Sequence, residues 1–99
     1  MRSIKKLVDA MNDEIHGAKE YAENYIESKA KGDMQKATRY KEMSNDELKH
    51  AEYEHEWAVK EISEISKIYK PPLEMEEAWE KSHKDYVEKV AWIKQMLAM

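Results

Sequence analysis

The sequence predicts an all-α protein, and its composition, its helical periodicity and two helix-breaking sites support that prediction. The 99 residues include only two glycines and two prolines, and residues that favour helices, such as Ala, Glu, Lys and Met, are well represented. Apolar residues recur at spacings of three and four through three long segments, as on one face of a helix. Gly32-Asp33 and Pro71-Pro72 separate these segments. We therefore expect residues 1–99 to form one domain of three helices.

The first predicted helix covers about residues 4–31, because its apolar residues keep to one helical face throughout. Gly32 suits the position just after a helix, and Asp33 suits the N-cap of the next one. Such a short connection brings the chain back alongside itself, so the first two helices are predicted to form an antiparallel hairpin. The apolar stripe of the first helix consists of Ile4, Leu7, Val8, Met11, Ile15, Ala18, Tyr21, Ala22, Tyr25 and Ile26.

The second predicted helix covers about residues 34–69 and the third about residues 73–97. Pro71-Pro72 separates them, because proline cannot continue a helix and disfavours helical backbone in the residue before it. Ser44-Asn45-Asp46 is a patch of weak helix formers. The apolar stripe keeps its phase across this patch, so we expect one continuous helix with a local distortion. The third helix has an apolar stripe of Trp79, Tyr86, Val90, Ile93 and Leu97.

Composition excludes several classes of function. Charged residues make up 38% of the chain and the net charge is -4, without the basic patch that a nucleic-acid-binding protein needs. Cysteine is absent, which excludes disulfides, thiolate catalysis and cysteine-type metal sites. No apolar run approaches the length of about 18 residues that spans a membrane. With no signal-type segment at the N-terminus, we expect a cytoplasmic protein.

Glu47 and His50 lie three residues apart in the second predicted helix. Residues at this spacing share a helical face and can bind one metal ion. With 100° per residue and Glu47 taken as zero, Tyr40 falls at about +20° and His50 at about -60°. Glu47 is therefore predicted to face the core, with His50 at the edge of the apolar face. Glu54, at about -20°, is predicted either to support a metal site or to form an ion pair between subunits.

Glu14 is the one carboxylate of the first predicted helix that the same test places toward the core. With Glu14 taken as zero, Tyr25 falls at about +20° and Tyr21 at about -20°. A buried carboxylate is costly unless it is paired or bound to a metal, and no arginine lies near these faces. Carboxylate and imidazole ligands suit iron, manganese or zinc. A metal site formed by Glu14, Glu47 and His50 is therefore predicted.

Each of these residues also has a simpler interpretation. Glu14 could extend to water or pair with a lysine, and Glu47 could pair with a lysine of a neighbouring helix. His50 could be a hydrogen-bonded histidine at the boundary of the core. The other three histidines have no matched acid and are predicted to have no metal-binding role: His16, His55 and His83.

The three predicted ligands amount to half of a di-iron centre. Such a centre uses a lone Glu from each of two helices and a Glu-x-x-His pair from each of two others. A two-fold dimer doubles every residue at its axis. Two copies would therefore supply four Glu and two His. The sequence thus predicts a homodimer in which two hairpins form a four-helix bundle around two metal ions.

Two segments resemble the ligand helices of the ferritin-like superfamily. Asn12-Asp13-Glu14, followed by Tyr21, resembles the first ligand helix of ferritins and rubrerythrins, and Asp46-Glu47-Leu48-Lys49-His50-Ala51 resembles the second. Together with Glu56-Trp57, the second segment looks especially like that of encapsulated ferritins. The resemblance covers residues 4–60 of the chain.

The resemblance implies a ferritin-like di-iron ferroxidase that oxidises Fe(II). Glu14 and His50 would be terminal ligands, Glu47 a bridging ligand, and Tyr21 a hydroxyl next to the catalytic centre. Encapsulated ferritins are short chains whose hairpins pair and assemble into rings. The implied partners are therefore a second copy of the chain, a higher ring and an encapsulin shell, which would place the protein inside a nanocompartment.

The chain departs from encapsulated ferritins in two ways. They often carry a second acid three residues from the first ligand, where this sequence has Met11 and Gly17. Residues 92–99 read as helix, whereas those proteins tend to end in a flexible cargo-loading tail. The alternative functions are a rubrerythrin-like peroxidase and a non-catalytic helical module for oligomerisation or scaffolding.

Overall fold

The computed structural model describes the backbone of residues 2–99 and the side chains of residues 4–99. It contains three helices, α1 (Arg2–Ala30), α2 (Met34–Ile68) and α3 (Leu73–Leu97), and no strand in that part of the chain. The all-α class is therefore confirmed. The sequence-derived bounds, about 4–31, 34–69 and 73–97, differ from these only at helix ends, which are the least sharply defined positions.

The turn between α1 and α2 depends on one glycine and one aspartate. Gly32 has a φ of 79°, a left-handed conformation that glycine adopts without steric cost. The Asp33 side chain accepts a hydrogen bond of 3.1 Å from the backbone N–H of Lys36, which caps the start of α2. Both residues therefore act as the sequence predicts.

Small residues bring α1 and α2 close together. Ala18 and Ala22 on α1, and Ser44 and Ala51 on α2, are fully buried. The Ser44 hydroxyl donates a hydrogen bond of 2.7 Å to the carbonyl oxygen of Ala18. α2 is α-helical throughout the patch that begins at Ser44, so the predicted continuous helix is confirmed. Ser44, a weak helix former, thus makes a hydrogen bond between α1 and α2.

α3 packs chiefly against α1 and only slightly against α2. Its buried residues Ile93, Met96 and Leu97 join the core that contains Met11 and Ile15. This covers one side of the α1–α2 pair. None of the described helices has a stretch long and apolar enough to cross a membrane.

The other side of the α1–α2 pair stays accessible, and we call it the open face. Its residues are only half-buried or are exposed, in contrast to the fully buried residues that contact α3. On α1 it comprises Ala10, Glu14, Gly17 and Tyr21, and on α2 it comprises Tyr40, Met43, Glu47, His50, Glu54 and Trp57.

Candidate metal centre

Glu14, Glu47 and His50 meet on the open face. One potential ligand atom from each lies within 4.8 Å of the others. Nδ1 of His50 is 3.5 Å from Oε2 of Glu14 and 3.8 Å from Oε1 of Glu47. Metal–ligand bonds of about 2.1 Å place neighbouring ligand atoms roughly 3–3.5 Å apart. The structure therefore brings the three residues singled out by the sequence to separations close to those of a coordination sphere.

The group lies at the boundary of the core, and this corrects the angular prediction. The side chains of Glu14 and Glu47 are each 27% exposed, and that of His50 is 53% exposed. Glu47 was expected at the centre of the buried face. The buried face is instead rotated toward α3, where Leu48 and Ala51 are buried. A boundary position leaves the ligand atoms accessible to an ion from solvent.

Gly17 provides room for the Glu47 carboxylate. A Cβ atom at position 17 would lie 3.0 Å from Oε2 of Glu47, closer than such atoms normally approach. Glycine in a helix interior costs roughly 0.5–1 kcal/mol relative to alanine. At this cost in stability, Gly17 leaves space for the Glu47 carboxylate. The sequence pattern alone did not reveal this role. The sequence did contain a signal for this role, namely a glycine inside a predicted helix and one turn from the predicted ligand Glu14.

The two carboxylates interact directly in the metal-free protein. A hydrogen bond with Glu14, followed by burial and by the charge of Glu14, raises the pKa of Glu47 to about 7. Two carboxylates this close repel each other when both are ionised, so Glu47 keeps its proton to a higher pH than an isolated carboxyl does. A divalent cation at this position would replace the proton and neutralise both charges.

Glu54 supplies a third carboxylate on the same face. It follows His50 by one helical turn, and its Oε2 is buried without a hydrogen-bond partner. Burial, then the charge of Glu14, raises the pKa of Glu54, so this carboxylate lies close to the group. An unpartnered buried carboxylate oxygen is unusual in a folded protein. Together with three convergent ligand atoms, it fits a site that binds a cation.

Tyr21 lies two turns along α1 from Glu14, about 10 Å by helical rise. Its ring stacks on that of Tyr40, with centroids 6.2 Å apart. The two rings cover the open face on the side of the group nearer the α1–α2 turn. The predicted contribution of the Tyr21 hydroxyl to catalysis stays a prediction.

The prediction that the remaining histidines have no matched partner is wrong for all three. His16 lies 3.2 Å from Glu20, one turn further along α1, and both side chains are exposed. His55 on α2 and His83 on α3 lie within hydrogen-bond distance, with 2.8 Å between Nε2 and Nδ1. Matching each histidine to an acid does not reveal this pair, because the partner of each histidine is the other histidine.

No family model matches this chain, and neither a curated protein nor a solved structure is significantly similar to it. The likeness to encapsulated ferritins and rubrerythrins therefore depends on the two ligand-helix segments alone. The geometry of the group supports metal binding independently of that likeness.

Proposed function

We propose that two copies of this chain pair through the open face and form a ferritin-like di-iron centre that oxidises Fe(II). The observation that carries the proposal is the convergence of Glu14, Glu47 and His50, one from α1 and two from α2, within 4.8 Å. Three ligands from one chain leave a metal ion with coordination positions to fill. A second copy supplies the same three residues across a two-fold axis.

The distribution of apolar surface supports pairing through this face. α3 covers the opposite side of the α1–α2 pair, so the open face is the one that remains available to a partner. Met43 and Trp57 flank the ligand group there and are 40% and 55% exposed. Burial of such side chains against a second copy would contribute roughly 1.5–3 kcal/mol each. The four helices α1 and α2 of two copies would then enclose the site.

The ligand set favours iron as the substrate. Carboxylate oxygens with one imidazole per metal suit Fe(II) and also stabilise Fe(III), because several negative charges offset the added positive charge. Oxidation of two Fe(II) ions transfers two electrons to O2, which takes up two protons and leaves as H2O2. Any proton that Glu47 holds before the metal binds is released on binding, because a carboxylate ligand must be deprotonated. Tyr21 and Tyr40 would limit access of water from one side.

Anaerobic titration with Fe(II), followed by addition of oxygen, tests the proposal. The wild-type chain should bind one Fe(II) per chain, form dimers in the metal-bound state and oxidise the iron quickly. The Glu47→Ala/His50→Ala variant should lose this binding and oxidise iron no faster than buffer does.

The matched control is His16→Ala/Glu20→Ala, which removes an exposed His–Glu pair from α1 and should leave binding and oxidation unchanged. Undiminished oxidation by the Glu47→Ala/His50→Ala variant would exclude the proposed site. A wild-type chain that dimerises but takes up no iron would instead be a helical scaffold module.

A further inference from the structure

A second cluster, formed by histidine and aromatic side chains, lies between α2 and α3. Nε2 of His55 and Nδ1 of His83 are 2.8 Å apart. The His55 ring stacks on Tyr86 with centroids 4.2 Å apart and planes 8° from parallel. The same ring lies 5.7 Å from Trp79. The cluster is thus a direct side-chain link between two helices that otherwise contact each other little.

We propose that His55 and His83 bind a second transition-metal ion, of the kind represented by Zn²⁺ or Cu²⁺, with Glu52 as a carboxylate ligand. Two facing imidazole nitrogens at hydrogen-bond distance must share one proton, since two bare lone pairs would repel each other. A metal ion bound to both at about 2.0–2.1 Å holds the two nitrogens roughly 3 Å apart. The spacing of the two nitrogens thus nearly suits an ion, which would lie to one side of the line between them, so each ring would rotate to direct its lone pair at the ion.

Access and charge both suit this site. His83 is exposed and His55 is half-buried, so an ion can reach the nitrogens from solvent. Burial, and then the neighbouring His83, lowers the pKa of His55. The His55 imidazole is therefore neutral at pH 7 and has a lone pair for a metal, as metal binding requires.

Glu52 shares a helical face with His55, and the charge of Glu56 acts on His55 itself. Glu52 precedes His55 by three residues, the same spacing that joins Glu47 to His50. Burial and then the charges of Glu52 and Glu56 raise the pKa of Tyr86, so both carboxylates lie near the cluster. Residues three apart share a helical face, and Glu52 is exposed. The Glu52 carboxylate does not converge with the two imidazoles in the structure, so its side chain would rotate to reach the ion.

This site is separate from the Glu14–Glu47–His50 group. His55 follows His50 by five residues, which is about 140° of rotation and about 7.5 Å of rise along α2. The inference therefore stands whether or not the open face binds iron. An ion at His55 and His83 would fasten α3 to α2 and so stabilise the three-helix chain.

Titration with Cu²⁺ and Zn²⁺ tests the second site in a Glu47→Gln/His50→Gln background, in which the ligand group of the open face is disabled. Circular dichroism first establishes that each variant is helical. Cu²⁺ should bind to the background protein, and its paramagnetic resonance spectrum should show coupling to two nitrogens. Zn²⁺ alone should raise the melting temperature, and Cu²⁺ should displace it, as the order of affinities of divalent metals requires.

Adding His83→Gln to this background should weaken Cu²⁺ binding about tenfold or more and reduce the coupling to a single nitrogen. Adding His16→Gln, which removes an exposed histidine elsewhere, should change neither. The proposal is overturned if the background protein binds no Cu²⁺, or if the two-nitrogen signal persists after His83→Gln.

Discussion

His50 and His55 lie only five residues apart on α2, yet they have different neighbours. His50 faces the carboxylates of Glu14 and Glu47 at 3.5 and 3.8 Å. His55 faces another imidazole, that of His83, at 2.8 Å. The first cluster lies between α1 and α2, and the second lies between α2 and α3. One helix thus carries a carboxylate-rich group on one side and a histidine–aromatic group on another.

The difference follows from the rotation of α2 between the two histidines. A step of five residues turns the helix by about 140°, so the two histidines face different neighbours. Hard carboxylate ligands favour iron or manganese, whereas two imidazoles favour zinc or copper. The two proposed sites would therefore give the same residue type two different metal preferences within about 7.5 Å of helical rise. Substitutions that act on one cluster alone test whether the two clusters differ in this way.

Gly17→Ala should have the largest effect on metal binding, because it displaces a carboxylate of the Glu14–Glu47–His50 group and leaves the His55–His83 cluster unchanged. The added Cβ would lie 3.0 Å from Oε2 of Glu47 and would push that carboxylate out of position. We expect Fe(II) affinity to fall about tenfold, a loss typical of altered support around a ligand. Metal-free stability should rise by roughly 0.5–1 kcal/mol, because alanine favours the helix. Anaerobic calorimetry with Fe(II) and chemical denaturation measure the two effects.

Gly32→Ala is the matched control for this substitution. Gly32 has a positive φ, and a Cβ atom added there would meet nothing within 4 Å. Alanine at this position should therefore cost about 1 kcal/mol of stability without changing Fe(II) affinity. Unchanged Fe(II) affinity in Gly17→Ala would show that the space beside Glu47 has no role in metal binding.

Much of this contrast can be predicted from sequence, and the rest depends on how the helices are placed. The helix boundaries follow from the two helix-breaking sites, and the shared face of Glu47 and His50 follows from their spacing. The contact of Glu14 with these two residues follows in addition from the short turn between α1 and α2. The rotation of the buried face cannot be predicted in this way, since it depends on the side to which α3 packs. The His55–His83 contact is hidden for the same reason, because it requires the register of α3 against α2.

Ser44→Ala tests how firmly α2 is held beside the carboxylate-rich group. Ser44 lies one turn before Glu47, and its buried hydroxyl donates to the carbonyl oxygen of Ala18 on α1. Loss of this bond should lower the free energy of unfolding by about 1 kcal/mol. Ser66→Ala is the matched control, because the exposed Ser66 hydroxyl bonds only to Ile62 of its own helix. Equal stability losses in both variants would mean that the bond between helices contributes nothing specific.

The last expected effect is one of sign, because the stabilities contributed by the two clusters should change in opposite directions when the metal-free protein is titrated. The folded pKa of Glu47 is raised from 4.5 to about 7, so the folded chain binds more protons in that window. Its contribution to stability is therefore lost as pH rises through this range. The folded pKa of His55 is lowered from 6.5, so the unfolded chain binds more protons just below that pH. Its contribution to stability therefore grows as pH rises toward 6.5.

Chemical denaturation in the presence of a chelator, at a series of pH values from about 5 to about 8, separates the two contributions. Glu47→Gln should make stability rise more steeply with pH than in the wild type, because the falling contribution is removed. His55→Gln should do the opposite, because the rising contribution is removed. Glu23→Gln, an exposed substitution on α1, should leave the slope unchanged. If Glu47→Gln and His55→Gln shift the slope in the same direction, the pKa values of Glu47 and His55 are not shifted in opposite directions and this prediction is wrong.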